Sequence, residues 1–263
     1  GAQVSFIARV GNDALGKEGI QHLKNEGIDT RFIVCDNEVS TGVAFIVVDE
    51  RGENSIVVAS GANARLNDTD ISAATEVIAA SNVLLVQLES PIQAVRSSIA
   101  LARRTGTLVI LNPAPAQPLD RQFLQEIDII TPNAVEAEMI TGISVTGDES
   151  LRMISDKFRE YGVKNTLITL GSKGVYIGTP TSNEMIPAKK VRAVDSTGAG
   201  DVFSGSLAAF LSEGLPLERA AMMANISASI SVTRMGAQNS APSRKEIDRS
   251  MSDHILTEPI PIL

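Results

Sequence analysis

Val83-Leu84-Leu85-Val86-Gln87-Leu88, followed by Pro91 to Arg104 and then by Thr107-Leu108-Val109-Ile110-Leu111, reads as strand, helix and strand in quick succession. That is the rhythm of a parallel sheet with helices on both faces, because parallel neighbours must be joined by a crossover. The alternation extends outward in both directions. Upstream, Asp68 to Ala80 reads as a helix. Downstream come a strand at Ile127 to Ile130, helices at Asn133 to Ile140 and Leu151 to Tyr161, and a strand at Thr166 to Leu170. Gly174 to Ile177 and Met185 to Pro187 read as a small antiparallel excursion, and helices Val202 to Ser212 and Leu217 to Thr233 finish the core. The expected fold class is α/β, a doubly wound, mostly parallel sheet with helices on both faces, plus a small β lid.

The front of the chain departs from this rhythm. Val4 to Val10 reads as a strand, and Ala14 to Asn25 as a helix with Leu15, Gly19, Ile20 and Leu23 on one face, closed by Gly27 at C′. Val43 to Val48 and Ser55 to Ala59 are β-branched runs joined by Asp49-Glu50-Arg51-Gly52-Glu53-Asn54, a hairpin and candidate lid. A lone hairpin is marginal, so it is expected to pair with further strands, from missing sequence or another subunit. The expected division is a core at residues 1–34 and 62–263 and a partial lid at 35–61. The chain opens on Gly1 with Gln3 to Val10 already alternating like an internal strand, which suggests a missing N-terminal piece.

At 263 residues, 43% hydrophobic and with a formal charge of -8, the chain can bury one large core, and it lacks the clustered cations that nucleic acid requires. The single cysteine, Cys35, forbids an internal disulfide or a cysteine metal cluster, and the two histidines, His22 and His254, are too few for a His-rich site. No run is apolar for long enough to span a membrane, and a cytoplasmic setting is expected. The Pro259 and Pro261 tail has no physical account.

In such sheets ligands lie beyond the carboxyl ends of the strands. Asp195-Ser196-Thr197-Gly198-Ala199-Gly200-Asp201 ends a β-like run and opens an apolar helix. Three small residues let the backbone turn and aim amides of Gly198, Ala199 and Gly200 at one point, a phosphate cradle. Asp201, just inside the helix, is placed to accept a proton from an attacking hydroxyl. The same features also suit an ordinary helix start. No G-x-x-x-x-G-K-[ST] run occurs, and Gly198, Gly200 and Gly205 do not space as G-x-G-x-x-G, so neither a Walker loop nor a Rossmann fingerprint is present. Asn133 and Glu136 after Thr131-Pro132 form a capping-box pattern, or else hold waters of a Mg²⁺ ion over nucleotide phosphates. Thr169-Leu170-Gly171-Ser172-Lys173-Gly174 is a turn or a nucleotide wrap, and Glu89 a sugar-binding carboxylate or a helix cap. Asn112, between a strand and Pro113, shapes a turn and carries no assignment.

The sequence closely resembles the ribokinase-like carbohydrate kinases, the phosphofructokinase-B family, over essentially its whole length. The resemblance rests on Gln87-Leu88-Glu89-Ser90, Leu111-Asn112-Pro113-Ala114-Pro115, Thr131-Pro132-Asn133 with Glu136, Thr169-Leu170-Gly171, Val194 to Asp201, and Thr233-Arg234 to Gln238. It implies ATP-dependent phosphorylation of a sugar's primary hydroxyl, the 5-hydroxyl in a pentose such as ribose, and a homodimer formed through the lid. It implies that Asp201 is the base and also touches the sugar, that the amides of Gly198, Ala199 and Gly200 form the anion hole, and that Glu89 binds sugar. It places Asn133, the run Thr169, Leu170, Gly171, Ser172, Lys173 and Gly174, and also Gly200 and Asn225, at the nucleotide, with Glu136 associated with Mg²⁺. Asp195, Thr197, Ser231, Arg234, Gly236 and Ser240 match the loops around an activating K⁺. The family opens with a strand bearing a sugar-binding Asp and a Gly-Gly-Lys-Gly-type clamp, which this chain does not contain. Other expectations are a kinase for deoxyribose, another pentose or a nucleoside, and a non-catalytic ATP-binding protein.

Overall fold

The computed structural model describes residues 1–48 and 54–257. The hairpin connector at 49–53 and the tail prolines Pro259 and Pro261 lie outside the described residues. The chain divides into two compact units, one of Gly1–Ala2, Asn82–Val86 and Leu108–Leu263, the other of Gln3–Ser81 and Gln87–Thr107.

The first unit holds a six-stranded sheet in the order β10-β9-β8-β7-β6-β5. β5 (Val83–Val86), β6 (Leu108–Leu111), β7 (Ile129–Ile130) and β8 (Asn165–Thr169) run parallel, whereas β9 (Val175–Gly178) and β10 (Asn183–Ile186) are the expected antiparallel excursion. Helices α5 (Arg121–Leu124), α6 (Ala134–Thr141), α7 (Asp148–Glu160), α8 (Ala199–Ser212), α9 (Leu217–Ser231) and α10 (Arg244–Thr257) accompany it. The period-2 alternation of strands divides the side chains between two faces. On one, Leu167, Val175 and Ile177 pack with Phe203, Leu207 and Phe210 of α8 and Ala224 of α9. On the other, α7 lies so close that a Cβ at Gly178 would stand 1.9 Å from the Ser155 Oγ. The sheet is therefore clad on both faces, and each fully buried leucine or phenylalanine contributes ~1.5–3 kcal/mol. α5 and α10 are additions to the sequence reading. The Ser243-x-x-Glu246 pattern marks the start of α10, and the Glu246 carboxylate indeed accepts the Ser243 N–H at 2.8 Å.

In the second unit β1 (Ala8–Gly11) pairs in parallel with β2 (Ile33–Asp36). The sequence reading had no strand at 33–36, and the strand expected from Val4 begins at Ala8, with Ser5 making only an isolated bridge to Asp29. α1 (Ala14–Asn25) has the expected limits, and Gly27 takes φ +78° after it. Its inward face differs, however: Gly16 is buried, while Leu15 is 54% exposed. The hairpin is β3 (Val43–Val48) with β4 (Asn54–Ala59), antiparallel, and among the described residues its strands pair only with each other. The helix expected over Asp68 to Ala80 is two, α2 (Asp68–Ala73) and α3 (Thr75–Ala80), and α4 (Ile92–Thr105) completes the unit.

Candidate active site

The carboxyl ends of β6, β7 and β8 bring three sequence-predicted segments side by side. The Asn112 Nδ2, buried at the end of β6, donates to the Thr131 carbonyl at 3.0 Å, and Thr169 N–H donates to the Pro132 carbonyl at 2.9 Å, so that Asn133 and Thr169 form a parallel bridge. Asn133 and Glu136 make the full capping box at the start of α6: Asn133 Oδ1 accepts the Glu136 N–H and Glu136 Oε2 accepts the Asn133 N–H, each at 2.8 Å. Burial pushes the Glu136 carboxyl above its ordinary value, the Asn133 N–H opposes this, and the negative charge of Asp201 adds to the rise. A pair of mutually repelling carboxylates is a donor set that a divalent cation relieves, and Mg²⁺, which keeps most of its waters, needs no more protein ligands than that. Among the described residues no cluster of three or more metal-ligating side chains exists.

Asp201 sits in the first turn of α8, exposed, behind Gly198, which takes φ +75° as the helix cap. First-turn amides have no carbonyl partner within their helix, and Gly200 stands in the first turn of α8. The Ala199 N–H is spent on the Ser196 carbonyl at 3.2 Å, so this member of the expected cradle is held within the turn itself. Below the loop, the Thr131 and Ser204 hydroxyls meet at 3.1 Å and join β7 to α8, a tie the sequence reading missed because nothing local marks either residue. Asp195 clasps two loops: one carboxylate oxygen accepts the Thr197 N–H and the other the Gly236 N–H, both at 2.9 Å, and these bonds hold the carboxyl below its usual range. Ala237 packs on Gly198, Ser240 is buried, and Ser231 ends α9 with its hydroxyl on the Ala228 carbonyl. Arg234 reaches the Ser240 carbonyl at 3.5 Å and pairs with Glu246. A cavity of about 400 Å³ is lined by the cap residue Gly198, by Asp201, Gly205 and Phe210 of α8, and by Ala237 and Arg244.

The remaining predicted residues fall in varied surroundings. Leu170 to Gly174 is a tight turn, closed by the Leu170 N–H on the Gly174 carbonyl at 2.8 Å, with Gly171, Ser172 and Lys173 exposed. Asn225 is buried in α9, where its Nδ2 donates to the Pro187 carbonyl at 2.8 Å and, more weakly, to that of Ile186 at 3.4 Å, leaving only Oδ1 for other use. Glu89, exposed, belongs to the other unit.

A mixed sheet whose strand ends gather a capped acidic helix start, a tight glycine turn and a glycine loop carrying a carboxylate defines a phosphotransferase of α/β architecture. Residues 1–244 match the model of the pfkB family carbohydrate kinases, and the chain belongs to that family. It is 42% identical over 246 residues to a ribokinase of Haemophilus influenzae, covering 94% of this chain and 80% of that one. It is 33% identical over 252 residues to a deoxyribokinase of Salmonella typhi, covering 95% and 82%. Among solved structures, the Arabidopsis thaliana ribokinase complexed with ribose and ATP superposes with a TM-score of 0.88 at 28% identity, covering 95% and 82%. No described helix is long and apolar enough to cross a membrane.

Proposed function

We propose that this chain transfers the γ-phosphoryl group of ATP to the 5-hydroxyl of ribose. The observation that carries the reading is Asp201 in the first turn of α8, directly behind the left-handed Gly198. On this reading the Asp201 carboxylate accepts the proton of the attacking hydroxyl, and the amides of Gly198 and Gly200 hold the negative phosphoryl group, that of Ala199 being engaged by the Ser196 carbonyl. Asn133 and the turn Thr169 to Gly174 take the nucleotide, and the Asn225 Oδ1 faces its base. Glu136 holds the waters of a Mg²⁺ ion, which neutralises phosphate charge when bound. Glu89 accepts hydrogen bonds from sugar hydroxyls. Asp195, Thr197, Ser231, Arg234, Gly236 and Ser240 frame an activating K⁺, the Asp195 clasp keeping their loops together. The hairpin is a lid, and its exposed Phe45, Val57 and Val58 suit a homodimer contact in a cytoplasmic enzyme.

Supporting ribose is the higher identity to the ribokinase than to the deoxyribokinase, 42% against 33%. The test is ADP release from Mg-ATP against ribose, deoxyribose and ribonucleosides, with and without K⁺. Turnover highest with ribose, stimulated by K⁺, and lowered roughly 10²–10⁴-fold in Asp201→Asn with ATP affinity retained, is the expected result. ATP binding without sugar-stimulated ADP release, or a mutant keeping most of its turnover, would refute the reading.

A further inference from the structure

The hairpin leaves its unit through a base in which one carboxylate does more than its local duty requires. Asp13 caps α1, its Oδ1 accepting the Gly16 N–H at 2.8 Å. The same Oδ1 accepts the Thr41 hydroxyl at 2.6 Å, and Oδ2 accepts the Thr41 N–H at 2.8 Å. The Thr41 hydroxyl oxygen in turn accepts the Gly11 N–H at 3.0 Å. The threonine two residues before β3 is thereby bonded to the end of β1 and to the start of α1 at once.

The backbone around it leaves no room for drift. A Cβ at Gly11 would lie 2.4 Å from the Thr41 nitrogen, and one at Gly16 2.2 Å from the Gly11 carbonyl oxygen. The two legs of the hairpin cross equally closely: a Cβ at Gly42 would meet the Ser60 carbonyl oxygen at 2.5 Å, and one at Gly61, where φ is +51°, the Ser40 carbonyl oxygen at 2.5 Å. Ala62 N–H closes the crossing on the Ser40 carbonyl at 2.9 Å. Beyond it, Ala44, Phe45, Val57 and Val58 are exposed.

We propose that Asp13 and Thr41 are positioning residues, a latch that sets the direction in which the hairpin stands on its unit. A helix cap alone uses one side-chain oxygen and a partner in its own first turn. Asp13 commits its second oxygen, and part of its first, to a residue 28 positions away in sequence. The leverage is large, since a rotation of about 10° at the base moves the end of a strand ~20 Å long by ~3.5 Å. The bonds also hold the Asp13 carboxyl at about 2, the Thr41 hydroxyl contributing most, so the latch stays charged at neutral pH. Only its kinetic consequence rests on the reading of the hairpin as a lid over bound sugar.

Thr41→Val keeps the shape and the N–H bond to Asp13 but removes both hydroxyl bonds, while Thr41→Ser restores the hydroxyl. Amide hydrogen exchange on the full chain should rise by about tenfold in the hairpin strands of Thr41→Val, with α1 still protected and Thr41→Ser resembling wild type. In parallel the sugar KM rises while kcat changes by less than about twofold. Unchanged hairpin exchange overturns the latch, as does a rise shared by α1, which would mark general destabilisation. Faster exchange confined to the hairpin with an unchanged KM upholds the latch and counts against the lid reading alone.

Discussion

Glu136 answers to two demands that pull in opposite directions. As the N3 member of a capping box it must accept the Asn133 N–H, and it does so at 2.8 Å. As a half-buried acid facing the charge of Asp201, it is held above its ordinary value, so its ionised form is disfavoured in the folded protein and costs stability at neutral pH. Glu136→Gln keeps the acceptor and removes the charge. The variant should melt no lower than wild type at pH 7 without divalent cations, yet require about tenfold or more Mg²⁺ for half-maximal turnover. Thermal melts with a chelator and a Mg²⁺ titration check both halves; a lower melt, or an unchanged Mg²⁺ requirement, contradicts the assigned role. The capping pair was legible in the sequence because three-residue spacing on a helix start is local geometry. Its coupling to Asp201 was not, since the two residues stand on different helices and meet only through packing.

The loop from Asp195 into α8 shows the same division for an element. Its three small residues announce a tight turn into a helix, and Gly198 adopts the φ of +75° that such a turn needs. What lies against it could not be read locally: the Ala237 Cα and Cβ stand 3.3 Å from where a Cβ at Gly198 would be, and Asp195 reaches across to the Gly236 N–H. Gly198→Ala therefore carries a left-handed backbone penalty of ~1–2 kcal/mol and must push Ala237 aside. The melting temperature should fall by about 2–8 °C, the range that such a loss produces in a domain of this size. Calorimetry decides it, and a variant melting with wild type would mean the turn tolerates a side chain. The hairpin is a second case. β-Branched runs and a turn-rich connector gave its two strands, but the glycine crossing at Gly42 and Gly61 is a close approach of distant backbone, to which local composition is blind.

Across the whole molecule, acid sensitivity follows from carboxylates that accept several hydrogen bonds. Asp13, Asp29 and Glu246 are each held at about 2, against ordinary values of 3.8 for Asp and 4.5 for Glu. The principal causes are the Thr41 hydroxyl for Asp13, the Arg31 side chain for Asp29 and the Ser243 N–H for Glu246. Each folded value is depressed, so each contribution is fully present above the ordinary value and disappears as pH falls through the folded one. Urea midpoints should stay level from about pH 7 to about 5 and drop between about pH 4 and 2, and a decline beginning above pH 5 would show that other groups govern acid unfolding. By itself the sequence determined the α/β class, the alternation of strands and helices from β5 to α9 apart from α5, the glycine loop and the Asn133 cap, because periodicity, turn chemistry and capping act over a few residues. Only the tertiary structure decided that β2 pairs with β1, that Asp195 ties two loops, that the Asn225 donors are spent on the Pro187 and Ile186 carbonyls, and that Asp13 holds the hairpin. Those are contacts between segments far apart in the chain, set by which surfaces pack together, and no local pattern records them.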